Sequence, residues 1–229
     1  AALFKRDMFD EAITAFRKVV ELDPDRASAY SYLGNALKAQ GELHEAIDCL
    51  KKAVECDPSD AGIINNLGQG FYAQDRLDEA IATYRQAIAV AGPDYGWGGI
   101  NTNLGNALLK QGKLDEAINE CRKAIERDPD YAHAYSLLAL ALMKQHKPDE
   151  AIAVCQSALA KLREEQASVF VKCLASTASN LSWSLATAAD VSERDPAKAV
   201  ELANLAIEHQ PDVANHWNNL GVAQYRVGN

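Results

Sequence analysis

Apolar and polar positions alternate along much of the chain with the period of an α-helix. One apolar stripe consists of Tyr30, Leu33, Gly34 and Leu37, which follow the i, i+3, i+4, i+7 spacing of a helix face. A second stripe consists of Ala46, Ile47, Leu50, Ala53 and Val54. Gly41, between the stripes, favours a helix end, and Pro58, after the second stripe, cannot extend a helix. The pattern therefore predicts two amphipathic helices joined by a short turn.

This two-helix pattern recurs along the sequence. A motif of two polar residues, an alanine and a branched apolar residue has five copies, whose alanines are Ala12, Ala46, Ala80, Ala117 and Ala151. The successive spacings are 34, 34, 37 and 34 residues, and a weaker copy surrounds Ala199. A period near 34 predicts repeated helix pairs, each of which buries its apolar face against its neighbours.

The landmarks of each copy resemble the tetratricopeptide repeat, in its bacterial form. The family's aromatic, Leu-Gly, glycine, alanine, alanine and proline positions correspond to Tyr30, Leu33-Gly34, Gly41, Ala46, Ala53 and Pro58. The resemblance implies an all-α fold, an α-solenoid in which helix-turn-helix units stack into a right-handed superhelix. The C-terminal part, from Trp183 to Val222, is also similar to tetratricopeptide arrays of large planctomycete-type bacterial proteins.

The repeats predict a single array over residues 1–229. The expected units are 1–26 (second half only), 27–60, 61–97, 98–131, 132–165, 180–213 and 214–229 (first helix only). We expect a helical insert at 166–179 and a flexible turn at 92–99, where Tyr95 and Trp97 are an alternative ligand contact. The half-units at the two ends expose apolar helix faces, which predicts self-association.

Composition narrows the classes of partner. The net charge is -9, so the chain repels phosphate backbones, and we expect no nucleic-acid partner. No apolar run is long enough to span a bilayer, and no leader is visible, so we expect no membrane insertion and a cytoplasmic location. Cys49, Cys121 and Cys155 lie within apolar stripes and are expected to be reduced core residues.

The resemblance implies a binding groove lined by the first helix of each unit. The residues at the corresponding positions are Tyr32, Asn35, Lys38, Asn65, Asn66, Gln69, Tyr72, Thr102, Asn103, Asn106, Lys110, Asn218 and Asn219. Amides both donate and accept hydrogen bonds, so a series of them could hold an extended peptide backbone. The competing interpretation is that asparagine is simply the family's usual residue there. Farther along the chain, Leu137, Leu140, Leu185 and Ala188 make the groove apolar.

Two more specific sites are disfavoured. Members that grip a C-terminal carboxylate use three cationic side chains and two asparagines, but the matching positions here are Ser31, Asn35, Asn66, Gly99 and Asn103. The histidines form neither HExxH nor a zinc pattern with the cysteines, and the repeated acidic pairs favour helix starts. We therefore expect no metal, no cofactor and no catalysis.

The sequence thus predicts a scaffold that binds a protein or peptide ligand in its concave groove. The alternative is the regulatory or substrate-docking arm of a multidomain enzyme, a kinase or a glycosyltransferase, whose catalytic domain lies outside these residues.

Overall fold

The computed structural model describes residues 2–92, 98–161, 175–176, 178–180, 182–188 and 194–228. All regular structure within these ranges is helical, which confirms the all-α prediction. Tyr95, Trp97, Cys173 and most of the expected insert at 166–179 lie outside the described residues. None of the helices in the described ranges combines the length and apolarity needed to cross a bilayer.

The chain divides into two compact units, Ala1–Lys113 and Leu114–Asn229. The helices of the first unit are α1 (Ala2–Leu22), α2 (Ala27–Gln40), α3 (Leu43–Cys56), α4 (Ala61–Ala73), α5 (Leu77–Ala91) and α6 (Gly99–Lys110). Those of the second unit are α7 (Leu114–Arg127), α8 (Ala132–Lys144), α9 (Pro148–Lys161), α10 (Pro196–His209) and α11 (Ala214–Val227). A short helical segment at 182–187 precedes α10.

In the first unit, each helix packs against the next along the chain, and α4 also touches both α2 and α6. The core of this unit includes Leu37, Leu50, Ile64, Ile100 and Leu108, which are all essentially inaccessible to solvent. Helices α2, α4 and α6 therefore lie side by side, with α3 and α5 packed against them. This arrangement of helix pairs confirms the solenoid class.

Glycine permits the close approach within a helix pair. A Cβ added at Gly68 of α4 would lie 2.6 Å from Cε1 of Tyr84 in α5, which is too near for real atoms. Gly34 of α2 stands in the same relation to Leu50 of α3, with an added Cβ 2.6 Å from Cγ. The repeated Leu-Gly landmark is thus the point where the two helices of a pair come closest.

In three of the repeats, a glutamine at the end of the first helix joins neighbouring repeats. Nε2 of Gln111 donates to Oδ1 of Asp78 at 2.7 Å, and Nε2 of Gln145 donates to Oδ1 of Asp115 at 2.6 Å. The equivalent amide of Gln40 donates to Asp10. In each case the aspartate lies in the second helix of the preceding pair. This side-chain bond adds to the apolar contacts between repeats.

The second unit shows the same pairwise packing, of α8 with both α7 and α9 and of α10 with α11. One part of its core joins Ile152 of α9 to Ala178 and to Leu202 of α10. Cys121 and Cys155 are buried free thiols, whose pKa values burial raises to about 12, and Cys49 is a half-buried free thiol. These three cysteines therefore stay protonated at neutral pH and act as small core residues.

Candidate functional site

The exposed side of α2, α4 and α6 forms one continuous polar surface, which we call the amide face. Its members are Tyr32, Asn35, Lys38, Asn66, Gln69, Tyr72, Asn103, Asn106 and Lys110, all at least partly exposed. The apolar stripes of these helices turn toward α3 and α5, so the polar residues are left on the opposite side. The sequence therefore places nine of its predicted groove residues on this surface.

Two predicted groove residues of the first unit are buried, and for them the prediction is wrong. Asn65 is 1 % exposed and Thr102 is fully buried. The hydroxyl of Thr102 donates to the carbonyl oxygen of Gly98 at 3.0 Å. Consecutive helical residues differ in direction by about 100°. Because Asn66 and Asn103 point outward, Asn65 and Thr102 point between the helices and cannot touch a ligand directly.

Asparagine side chains join the three helices beneath the amide face. Nδ2 of Asn66 donates to the hydroxyl of Ser31 at 3.1 Å, which links α4 to α2. Nδ2 of Asn103 donates to Oδ1 of Asn65 at 3.0 Å, which links α6 to α4. Part of the asparagine pattern therefore has a structural role, because these bonds fix the spacing of neighbouring repeats.

Much hydrogen-bonding capacity on the amide face nevertheless remains free. Among the described residues, Oδ1 of Asn66 and of Asn103 receives no hydrogen bond, and the amide of Asn106 makes none at all. Nε2 of Gln69 also has no acceptor, and Oδ1 of Asn35 is buried without a donor. Apart from the buried oxygen of Asn35, these unpaired amide groups include both donors and acceptors, the two kinds of group that pair with an extended peptide backbone.

Two lysines supply the only charges of the amide face. Nζ of Lys110 lies 2.7 Å from a carboxylate oxygen of Asp75 and 5.1 Å from the ring centre of Tyr72. The hydrogen bond to Asp75 raises the pKa of Lys110. Nζ of Lys38 instead donates to Oε1 of Gln69 at 2.8 Å, and burial lowers the pKa of Lys38. Only one of the two cations is therefore neutralised within the unit.

An exposed aromatic ring marks the α2 edge of the amide face. Tyr32 is 58 % exposed, and its ring stacks on Phe16 of α1 with centroids 5.5 Å apart. Stacking on Phe16 holds the ring in place while leaving much of its surface accessible. Rigid, partly exposed tyrosines are common anchors for protein ligands.

The second unit places its predicted groove residues differently. Asn218 is exposed, but Asn219 is buried and donates at 2.8 Å to both the carbonyl and hydroxyl oxygens of Ser179, so its predicted ligand contact is wrong. Leu140 is 38 % exposed, whereas Leu137 is buried. An apolar lining is thus present only in part.

An open cleft of about 980 Å³, which the repeat pattern does not predict, lies beside Trp183 in the second unit. Its charges compensate one another, because Nζ of Lys198 lies 3.0 Å from Asp149 and 3.5 Å from Asp195. The cleft is not readable from the repeat pattern because it forms where the chain departs from the motif. Within the described ranges, no three histidine, cysteine, aspartate or glutamate side chains gather as a metal ion requires.

Comparison with sequence families gives one consistent result. Models described as tetratricopeptide repeat match residues 61–91 and 102–166, and one described as TPR repeat matches residues 1–41 and 34–75. The matches stop at residue 166, so the planctomycete-type resemblance of the C-terminal part stays a prediction. No curated protein matches the sequence at a significant level.

Solved structures agree with the family matches. MamA is 31% identical, with a TM-score of 0.60 over 67% of this chain and 88% of that one. YrrB, described as a TPR protein with an unusual peptide-binding site, is 22% identical, with a TM-score of 0.59 over 89% and 96% of the two chains. PilF of Pseudomonas aeruginosa is 19% identical, with a TM-score of 0.64 over 95% and 91%. By its repeated landmarks, its paired helices and these matches, the chain belongs to the tetratricopeptide-repeat family.

Proposed function

We propose that the chain is a protein-interaction scaffold whose amide face binds an extended peptide or a partner helix. One observation carries the proposal: the face combines a fixed geometry with unfilled hydrogen-bonding groups. The bonds from Asn66 to Ser31 and from Asn103 to Asn65 hold the helices in register. The remaining amide groups can then meet peptide N–H and C=O groups without first being ordered, which lowers the entropic cost of binding.

The family and its fold support this reading. Tetratricopeptide-repeat proteins are generally non-catalytic scaffolds, and YrrB shows by its own description that the fold can carry a peptide site. If the array is instead the docking arm of a larger enzyme, the same face would hold the substrate. Both versions demand binding at α2, α4 and α6.

The contacting residues we propose are Tyr32, Asn35, Asn66, Gln69, Tyr72, Asn103, Asn106 and Lys110. Asn65 and Thr102 take a positioning role instead. Asn65 holds Asn103 through its carbonyl oxygen, and Thr102 is bonded within its own helix. Their replacement would disturb the face from beneath rather than remove a direct contact.

Asn106→Ala tests the proposal best, because this amide has no bond within the described residues whose loss could unsettle the fold. A random dodecamer peptide library displayed on phage would be selected on the full chain, and the affinity of a selected peptide measured by fluorescence anisotropy. We expect Asn106→Ala to weaken binding about fivefold, the worth of roughly one hydrogen bond. Losing two face amides in Asn106→Ala/Gln69→Ala should weaken it further.

Asn119→Ala is the matched control. Asn119 is an exposed helical asparagine of α7, outside the amide face. Its replacement should leave the affinity unchanged. Equal affinities for wild type, Asn106→Ala and the double variant would move the site away from this face and overturn the proposal.

A further inference from the structure

The helices that build the amide face are free of acidic residues. The sequences of α2, α4 and α6 contain no aspartate and no glutamate, although the chain carries 32 acidic residues and a net charge of -9. The only charged side chains in these helices are Lys38 and Lys110. The acidic residues of the first unit's helices are confined to α1, α3 and α5. The acidic residues of the unit's helices are therefore segregated away from the amide face, and Asp75, in the turn after α4, is the carboxylate that reaches Lys110.

Of the two lysines, Lys110 already has an anionic partner. Asp75 lies at 2.7 Å, and the ring of Tyr72 lies beneath the ammonium group. A ligand carboxylate would have to compete with Asp75 for this cation. The charge of Lys110 is thus largely accounted for within the protein.

Lys38 has no such partner. No carboxylate of the described residues lies within 4 Å of Nζ, and its contact is the neutral amide oxygen of Gln69. The side chain is half-buried, and burial is the cause of its lowered pKa. A partly desolvated cation without a counter-ion is unfavourable, and a carboxylate that reaches it forms a charge-assisted hydrogen bond. An ammonium group has three N–H donors, so two remain after the bond to Gln69.

We propose that the bound peptide places an aspartate or glutamate side chain on Lys38, so that the amide face selects acidic peptide segments. This inference rests on the proposed function and adds a partner chemistry to it. The free amides can bind the peptide backbone in any register. The uncompensated charge of Lys38 selects the register in which an acidic peptide residue lies beside it. Specificity would therefore come from one acidic residue at a fixed position in the peptide.

The test compares peptides selected on two versions of the full chain. Wild type should enrich aspartate or glutamate at one position of a random dodecamer library, and Lys38→Gln, which keeps an amide beside Gln69, should lose that enrichment. The matched control is Lys144→Gln, which removes an exposed lysine from the last turn of α8 in the second unit and should keep the enrichment. All synthetic peptides would be amidated at the C-terminus.

A thermodynamic cycle then isolates the contact from any effect on folding. Changing the selected glutamate to glutamine in the peptide should weaken binding to wild type about tenfold, in low salt, and binding to Lys38→Gln hardly at all. An equal loss for both proteins overturns the inference, as does binding that needs a free peptide C-terminus. Selected peptides that depend on Asn106 but show no acidic position would refute this inference and leave the proposed function standing. Binding unaffected by both Asn106→Ala and Asn106→Ala/Gln69→Ala would refute both.

Discussion

His44 interrupts a hydrogen bond that otherwise recurs between neighbouring repeats. It occupies the place held by Asp10, Asp78 and Asp115, each of which accepts from a glutamine of the next repeat. The corresponding glutamine is Gln74, whose Oε1 accepts from Arg76 and whose Nε2 is buried without a partner. A buried donor without an acceptor costs about 1–3 kcal/mol. The histidine at position 44 thus leaves the amide of Gln74 without the acceptor that its counterparts have.

We expect His44→Asp to raise the free energy of unfolding by about 1 kcal/mol. The new carboxylate would accept from Gln74, and it would lie in the first turn of α3, where negative charge is favoured by the helix dipole. Urea unfolding followed by circular dichroism gives the measurement. In a Gln74→Ala background only the dipole part should remain, and a gain of the same size there would argue against the hydrogen bond.

His146 has a strained backbone conformation. It follows α8 in the left-handed conformation, with a φ of 59°, where the equivalent residue after α2 is Gly41, with a φ of 92°. Non-glycine residues pay for this conformation because Cβ approaches the backbone. His146→Gly should stabilise the chain by roughly 0.5–1 kcal/mol in the same assay. Asp75, with a φ of 63°, is the comparison: Asp75→Gly also loses the contact with Lys110 and should gain less.

At the scale of helices, the Leu-Gly landmark reports how closely a pair packs. Gly68 lies against the buried ring of Tyr84, whereas Gly221, at the same place in α11, has open space around an added Cβ. Gly68→Ala should therefore cost about 1–3 kcal/mol by forcing the ring to move. Gly221→Ala should gain about 0.5–1 kcal/mol, because alanine restricts the unfolded chain and favours the helix. Equal effects in thermal unfolding would contradict the assigned role of the glycine.

The helix pairs could be predicted from the sequence because their signals are local. Gly41 ends α2, and the apolar stripes around Leu37 and Leu50 fix which side of each helix is buried. The fate of Asn65 and Thr102 could not be predicted in this way. Each lies next to an outward-pointing asparagine, and only the spacing of the neighbouring repeat decides which of two adjacent residues is covered. The contrast between Lys38 and Lys110 depends on such spacing too.

At the scale of the whole molecule, the uneven distribution of acidic residues favours one charge of ligand. The acidic residues of the first unit's helices lie in α1, α3 and α5, while the helices of the amide face carry none. The first unit therefore offers an anionic peptide a surface of the opposite local charge. Raising the salt concentration should weaken such binding, because the attraction at Lys38 is partly screened.

Self-association of the whole chain also remains a prediction. Trp217, Tyr225 and Val227 of α11 are each more than half exposed, and exposed large apolar side chains favour contact between molecules. The sedimentation coefficient of the chain should rise with concentration, and Val227→Asp should reduce that rise. A coefficient independent of concentration for the wild type would contradict the prediction.

The most direct measurement of the central claim is site-specific photo-cross-linking of a selected peptide. A benzophenone amino acid would replace Asn106 on the amide face or, in a second protein, Asn119 on α7, and adducts would be identified by mass spectrometry. The account predicts an adduct from position 106, competed away by unlabelled peptide, and none from position 119. An adduct from position 119 alone would place the peptide outside the amide face and contradict the account.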